Sequence, residues 1–193
     1  AFGDQQVSQL FPPMSVLAKS GKLFTSDTHA GTAKAPVAAA PTTSPEWALY
    51  NGDPTLSLVL LEVGFTIKSG TQGLGMALMV ATAIGAQTAV TSAYASSNTS
   101  AHDGSGRNPG ANVFITNNPT LIGGTPAWRV AAADAGNGIA SVNIGSGLVA
   151  KLDGSHIARP NGGMVAAELV GPPGTAALFT VSFTYAMLEL DYY

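Results

Sequence analysis

Residues 171–188 read Gly171-Pro172-Pro173-Gly174-Thr175-Ala176-Ala177-Leu178-Phe179-Thr180-Val181-Ser182-Phe183-Thr184-Tyr185-Ala186-Met187-Leu188. Phe179, Val181, Phe183, Tyr185 and Met187 are large and apolar, while Thr180, Ser182, Thr184 and Ala186 alternate with them. In an extended chain successive side chains point to opposite faces, so the pattern predicts a strand with one face in a core. The Gly-Pro-Pro-Gly run before it can continue neither a helix nor a ladder, and it marks a turn.

Working outward, the same pattern recurs. Leu56 to Lys68 places Val59, Leu61, Val63, Phe65 and Ile67 on one side and Glu62, Gly64, Thr66 and Lys68 on the other. Shorter strands are expected at Glu46 to Asn51, Leu74 to Ile84, Asn112 to Thr116 and Pro126 to Ala131. Others are expected at Gly147 to Leu152, Ser155 to Arg159, Met164 to Val170 and Ala176 to Leu190. Asp153-Gly154 sits between two of these and reads as a two-residue hairpin turn. No helical period competes, so the fold class is all-β, an antiparallel, jelly-roll-like β-sandwich over residues 45–193.

Residues 1–44 lack such a period. Phe11-Pro12-Pro13-Met14 and Ala35-Pro36-Val37-Ala38-Ala39-Ala40-Pro41 favour extended geometry. Leu23 and Phe24 are apolar spots without a visible core of their own. An extended N-terminal arm lying along a neighbouring subunit is expected, with a tail as the plainer alternative. A chain lacking residues 1–40 should then still fold but fail to attach.

Composition narrows the function classes. The 193 residues are 46% hydrophobic and 10% charged, with a net charge of −3. Globular chains usually carry roughly 25% charged residues. So sparse an inventory suggests that other protein covers much of the surface. It gives no reason to expect nucleic acid or a membrane as partner. The uncharged run from Ser69 to Ala101 is interrupted by Gly73, Gly75, Gly85 and Gln87, and it alternates, so a buried strand is preferred to a spanning helix. There are no cysteines, which excludes disulfides and thiolate sites. Ala1-Phe2-Gly3-Asp4 shows neither the basic nor the apolar region of a signal peptide, and cytoplasmic synthesis is the expectation.

Catalytic, metal and cofactor sites are not expected. No G-x-S-x-G elbow, phosphate loop, H-E-x-x-H or calcium-loop pattern occurs. His29, His102 and His156 each have an aspartate nearby in sequence (Asp27, Asp103, Asp153), but nothing requires them to converge. His102-Asp103 offers a minor cation-binding alternative. Glu189 and Asp191 fall on one strand face about 7 Å apart, a spacing open to glycoside hydrolysis, though a solvated strand end is preferred. Glu62 and Glu168 read as sheet-face residues or partners of Arg129, Arg159 or Lys151. Asn98-Thr99-Ser100 matches a glycosylation sequon in a Ser/Thr-rich loop. The polar stretches 94–110 and 133–145 are long enough to be functional or merely decorative.

The layout resembles small jelly-roll virion proteins of tailed bacteriophages. The residues that carry the resemblance run from Pro45-Glu46-Trp47-Ala48-Leu49-Tyr50-Asn51-Gly52 through a long strand to Pro126-Ala127-Trp128. They continue at Val149-Ala150-Lys151-Leu152-Asp153-Gly154 and end at Gly171-Pro172-Pro173-Gly174 with its alternating strand. The resemblance covers about residues 45 to 191 and brings no catalytic residue. It implies a capsid decoration or cement protein, or part of a head fibre or tail, located in the virion and made in the host cytoplasm. Expected partners are further copies of the chain, a trimer among the candidate states, and the major capsid protein or other virion proteins. The partner-binding candidates are Phe11, Leu23, Phe24, Trp47, Trp128, Tyr192 and Tyr193. The alternative function is a glycan- or receptor-binding module of a fibre or tail, using loop 94–110 with exposed aromatics.

Overall fold

The computed structural model describes residues 13–28, 33–73, 75–88, 99–133, 147–172 and 174–190. One short helix, α1 (Pro13–Lys19), precedes β1 (Leu23–Asp27). Then come β2 (Trp47–Asn51), β3 (Ser57–Thr71), β4 (Ala77–Thr82), β5 (Thr99–Ala101) and β6 (Val113–Asn117). The last four are β7 (Arg129–Ala133), β8 (Gly147–Ala158), β9 (Gly163–Val170) and β10 (Thr175–Leu188). They form two five-stranded sheets, in the orders β5-β1-β10-β3-β8 and β6-β2-β9-β4-β7.

The pairing is nested. β1 pairs with β10, β2 with β9, β3 with β8 and β4 with β7, all antiparallel. The chain is thus one long hairpin whose successive rungs fall alternately in the two sheets, joined by β10 to β3 and by β9 to β4. This is the jelly-roll arrangement, and it is the all-β sandwich expected from the alternation. β5 and β6 are additions that widen the sheets beside β1 and β2.

Between the sheets, the apolar set of β10 is no more than 3% exposed. Phe65, Leu58, Leu60, Trp47, Leu78, Ile115 and Leu169 pack with it in one cluster. The Tyr185 hydroxyl meets Ser26 Oγ at 3.1 Å, so its polar end is satisfied inside the core. Asn51 is fully buried, and its Nδ2 donates to the carbonyls of Leu56 and Ala158 at 2.9 and 3.0 Å. It ties the end of β2 to the strand that crosses above it.

Three expectations need correction. First, the described residues of the stretch 1–44 are not an arm apart from the sandwich. β1 is the first rung of the nested hairpin, with Leu23 and Phe24 4% and 5% exposed. Phe24 stacks on Tyr185 at 6.0 Å between ring centres. Residues 33–37 then cross from sheet to sheet: Lys34 exchanges both backbone hydrogen bonds with Phe179, and Val37 bonds Leu169 and Gly171. Five residues alternate too briefly to announce a strand, and the open edge of β10 supplies what the local pattern lacks.

Second, Asp153-Gly154 is not a hairpin turn. Leu60 pairs with His156 and Glu62 with Lys151, so Leu152, Asp153, Gly154 and Ser155 stand against the single Leu61. Asp153 and Gly154 have φ of 47° and 81°, the left-handed pair a tight turn needs, but here they form a bulge. β3 is long enough to hold both halves as one strand. Third, the strand expected from Pro126 starts only at Arg129. The strand expected from Leu74 begins at Ala77, and Leu74 itself lies outside the described residues. No described helix is long and apolar enough to cross a membrane.

Since β1 closes the edge of β10, Phe24→Ala is expected to cost about 3–5 kcal/mol in a urea titration. A chain that begins at residue 29 should lose its cooperative transition altogether. If that shortened chain melts like the full one, β1 does not belong to the folding unit.

Candidate functional site

The two outer faces of the sandwich are treated differently by the chain. On the sheet containing β2 and β9, Ala48, Tyr50, Phe114, Met164 and Ala166 form a second cluster, closed by Ala83, Leu121 and the half-buried Trp128. The loops that cover it are stitched together by Gln87, 6% exposed. Its amide donates to the carbonyls of Ile84 and Ile122 at 3.1 Å and accepts from Ile122 N at 2.8 Å. Gly162 sits against Gln87 from below, where a Cβ would meet its carbonyl at 2.6 Å. The loops bury this cluster, while Ile84 and Ile122 within them stay half-exposed.

The face of the other sheet is open. Cross-strand partners point to the same side of a sheet, so the register gives its rows directly. One row is Asp27, Ser182, Gly64 and Val149; the next is Thr25, Thr184, Glu62 and Lys151; a third is Thr180, Thr66 and Gly147. Helix α1 lies over one end, where Met14, Ser15 and Ala18 line a hollow with Glu62, His102 and Thr184. Away from it Thr66, Gly147, Lys151 and Leu178 are exposed, and Val149 is 58% exposed. Hydroxyls bond within the face, Thr25 Oγ1 to Thr184 Oγ1 at 3.3 Å and Thr180 Oγ1 to the Thr66 carbonyl at 3.4 Å. The result is a flat surface of short side chains, with Glu62 set opposite Lys151. A surface like this loses little conformational entropy when covered.

The residues singled out from the sequence do not make this surface. Leu23, Phe24 and Trp47 are core residues, so their expected role as partner contacts is replaced by intramolecular packing. Each is apolar because it completes a rung of the hairpin. Trp128 packs on the second cluster and donates Nε1–H to the Thr42 carbonyl at 3.0 Å. Phe11, Tyr192 and Tyr193 lie outside the described residues, as do His29, Asp191, Tyr94, Asn98 and all but the first residue of stretch 133–145. Sequence reading passed over Thr66, Val149, Thr180 and Ser182 as the plain side of alternating strands. Their signal was present, in the small side chains that alternate with the core residues.

The titratable groups diverge. His102 Nε2 meets Thr25 Oγ1 at 2.5 Å. Asp103 instead accepts from Ser105 and from Arg107 Nη2 at 2.6 Å, and these bonds hold its carboxyl well below the usual range. The described residues contain no cluster of three or more His, Asp or Glu able to hold a metal ion. Glu189 is exposed at the strand end. Glu168 pairs with none of the basic residues expected for it. It is 0% exposed beneath the crossing segment, and its Oε2 accepts the Glu46 N–H at 2.7 Å. Lys34 approaches the same end, bonding Asn118 Oδ1 with its ammonium 5.6 Å above the Trp47 ring.

Burial lifts the Glu168 pKa to about 7; the Glu46 carboxylate adds to the rise, while the two backbone N–H bonds and Lys34 oppose it. Burial likewise raises Glu46, against the pull of Lys34. The folded chain therefore holds this proton more tightly than the unfolded chain, whose carboxyl titrates near 4.5. Stability from Glu168 is complete below that value and is lost as pH rises towards 7. Glu168→Gln should flatten this decline in urea midpoints compared at acid and neutral pH. Parallel declines in the two proteins would mean that Glu168 ionises normally. Comparisons of the chain with protein-family models, with curated proteins and with solved structures find no match.

Proposed function

We propose that the chain is a structural virion protein, a capsid decoration or cement subunit that assembles with its own copies and with the shell through the open sheet face. The observation that carries this reading is the asymmetry of the sandwich. One outer face is covered by loops pinned through a buried glutamine; the other is bare sheet that presents Val149, Leu178 and rows of Thr, Ser and Gly. Jelly rolls with this nested pairing recur in viral shells and in lectins, so the fold agrees with the reading without deciding it.

The physical means is burial of weakly charged surface. At about 25 cal/mol per Å² of apolar area, a standard interface of roughly 800 Å² per partner holds without ion pairs. Short hydroxyl side chains already bonded to one another need little desolvation. Contact through the face is also favoured over contact through the edge. The edge strand β8 is broken by its bulge and carries Lys151, both of which discourage strand addition.

Val149→Glu with Thr66→Glu places two like charges on this face while leaving the core untouched. The unsubstituted protein is expected to sediment as an oligomer and to occupy capsid shells. The double variant should sediment as a monomer with an unchanged melting temperature. An unsubstituted protein that stays monomeric at every concentration overturns the reading.

A further inference from the structure

The geometry points to a binding cleft for a small, hydroxyl-bearing carboxylate at the β7–β8 edge of the sandwich, separate from the open sheet face. β7 and β8 are the outermost strands of their sheets on the same side. β7 is short: its Arg129 pairs with Val80, and Ala81 and Thr82 of β4 extend beyond it. The missing rungs leave a gap between the sheets. Arg129 shares a side with the core residue Val80, His156 with Leu60, and Thr82 with Val165, so all three side chains face that gap.

The gap is a cleft of about 440 Å³ lined by Thr82, Ala127, Arg129, Ser155 and His156. A second hollow of about 350 Å³ shares Thr82 and continues past Ile157, Arg159 and Met164. Volumes of this size suit small-molecule ligands. Two of the three arginines of the chain line these hollows, and among the described residues no aspartate or glutamate does. Arg129 is exposed and has no ion-pair partner among the described residues. In a chain so poor in charge, an arginine pointing into a gap between sheets calls for an anion.

The other lining groups narrow the class. A guanidinium binds a planar carboxylate through two parallel N–H bonds. The hydroxyls of Thr82 and Ser155 offer both donor and acceptor positions, which match ligand hydroxyls rather than further negative charge. Ser155 Oγ lies 3.0 Å from His156 Nδ1 and holds the ring in place. Burial and the nearby Arg129 both push the His156 pKa down, so the imidazole is neutral at pH 7 and adds hydrogen bonding but no second charge. Arg129 is the one cation that lines the 440 Å³ cleft itself, with neutral polar groups around it, and this suits an acidic sugar better than a phosphate.

The test is titration of the full chain with glucuronate, followed by calorimetry and by amide chemical shifts, with glucose, acetate and inorganic phosphate as parallel arms. Glucuronate is expected to bind and to shift residues around 82, 129 and 156. Glucose and acetate should each bind at least about tenfold more weakly, since each lacks one half of the recognition. Arg129→Ala should weaken glucuronate by about tenfold or more with an unchanged melting temperature, and Arg129→Lys should recover part of the loss. Val149→Glu with Thr66→Glu should bind glucuronate normally, which separates this cleft from the assembly face. The proposal is overturned if glucuronate does not bind, if Arg129→Ala binds as well as the parent, or if phosphate binds as tightly as glucuronate.

Discussion

Strand β10 is hydrogen-bonded on both sides, to β1 and to β3, and sends Phe179, Val181, Phe183, Tyr185 and Met187 into the space between the sheets. Its pairing with β1 joins the beginning of the described chain to its end. That outermost pair encloses the inner rungs, β2 with β9, β3 with β8 and β4 with β7. Such pairings are far apart in sequence, so their entropic cost falls before their contacts compensate it. The apolar side of β10 is therefore both the densest part of the core and the element on which the topology turns.

Within this frame the two outer faces diverge for a local reason. The connections that follow β4 and β6 carry Ala83, Gln87, Leu121 and Trp128, which fold back over their own sheet. Among the described residues, the other sheet receives α1 at one end. A sheet face made of Thr, Ser, Gly and Val is soluble enough to exist uncovered, yet it resists association weakly because it holds few charges to desolvate. This is the physical content of the assembly reading.

Several of the few charges stand where the sandwich is interrupted. Lys34, Glu46 and Glu168 gather where the crossing segment closes one end. Arg129 stands at the gap left by the short β7, beside His156. Asp103 and Arg107 fasten the loop after β5, and the Arg107 guanidinium rests on Gly21 at the turn between α1 and β1. The open sheet face carries charge too, in Asp27 and in Glu62 set opposite Lys151, spaced among uncharged residues.

The alternation in residues 179–187 and 56–68 determined by itself that the chain is an antiparallel sandwich, because a period of two leaves one face for a core and one for solvent. It also determined that the outer side of these strands is built largely of Thr, Ser and Gly, since that property is a list of side chains. The tertiary structure alone decided that Leu23, Phe24 and Trp47 are interior residues, because a five-residue strand is specified by the edge it joins more than by its own pattern. It alone turned Asp153-Gly154 from a hairpin into a bulge, since both outcomes use the same left-handed dihedrals and differ only in whether one partner strand is long enough to hold both halves. And it alone brought Thr82, Arg129 and His156 together, three residues on three strands whose proximity follows from where β7 begins.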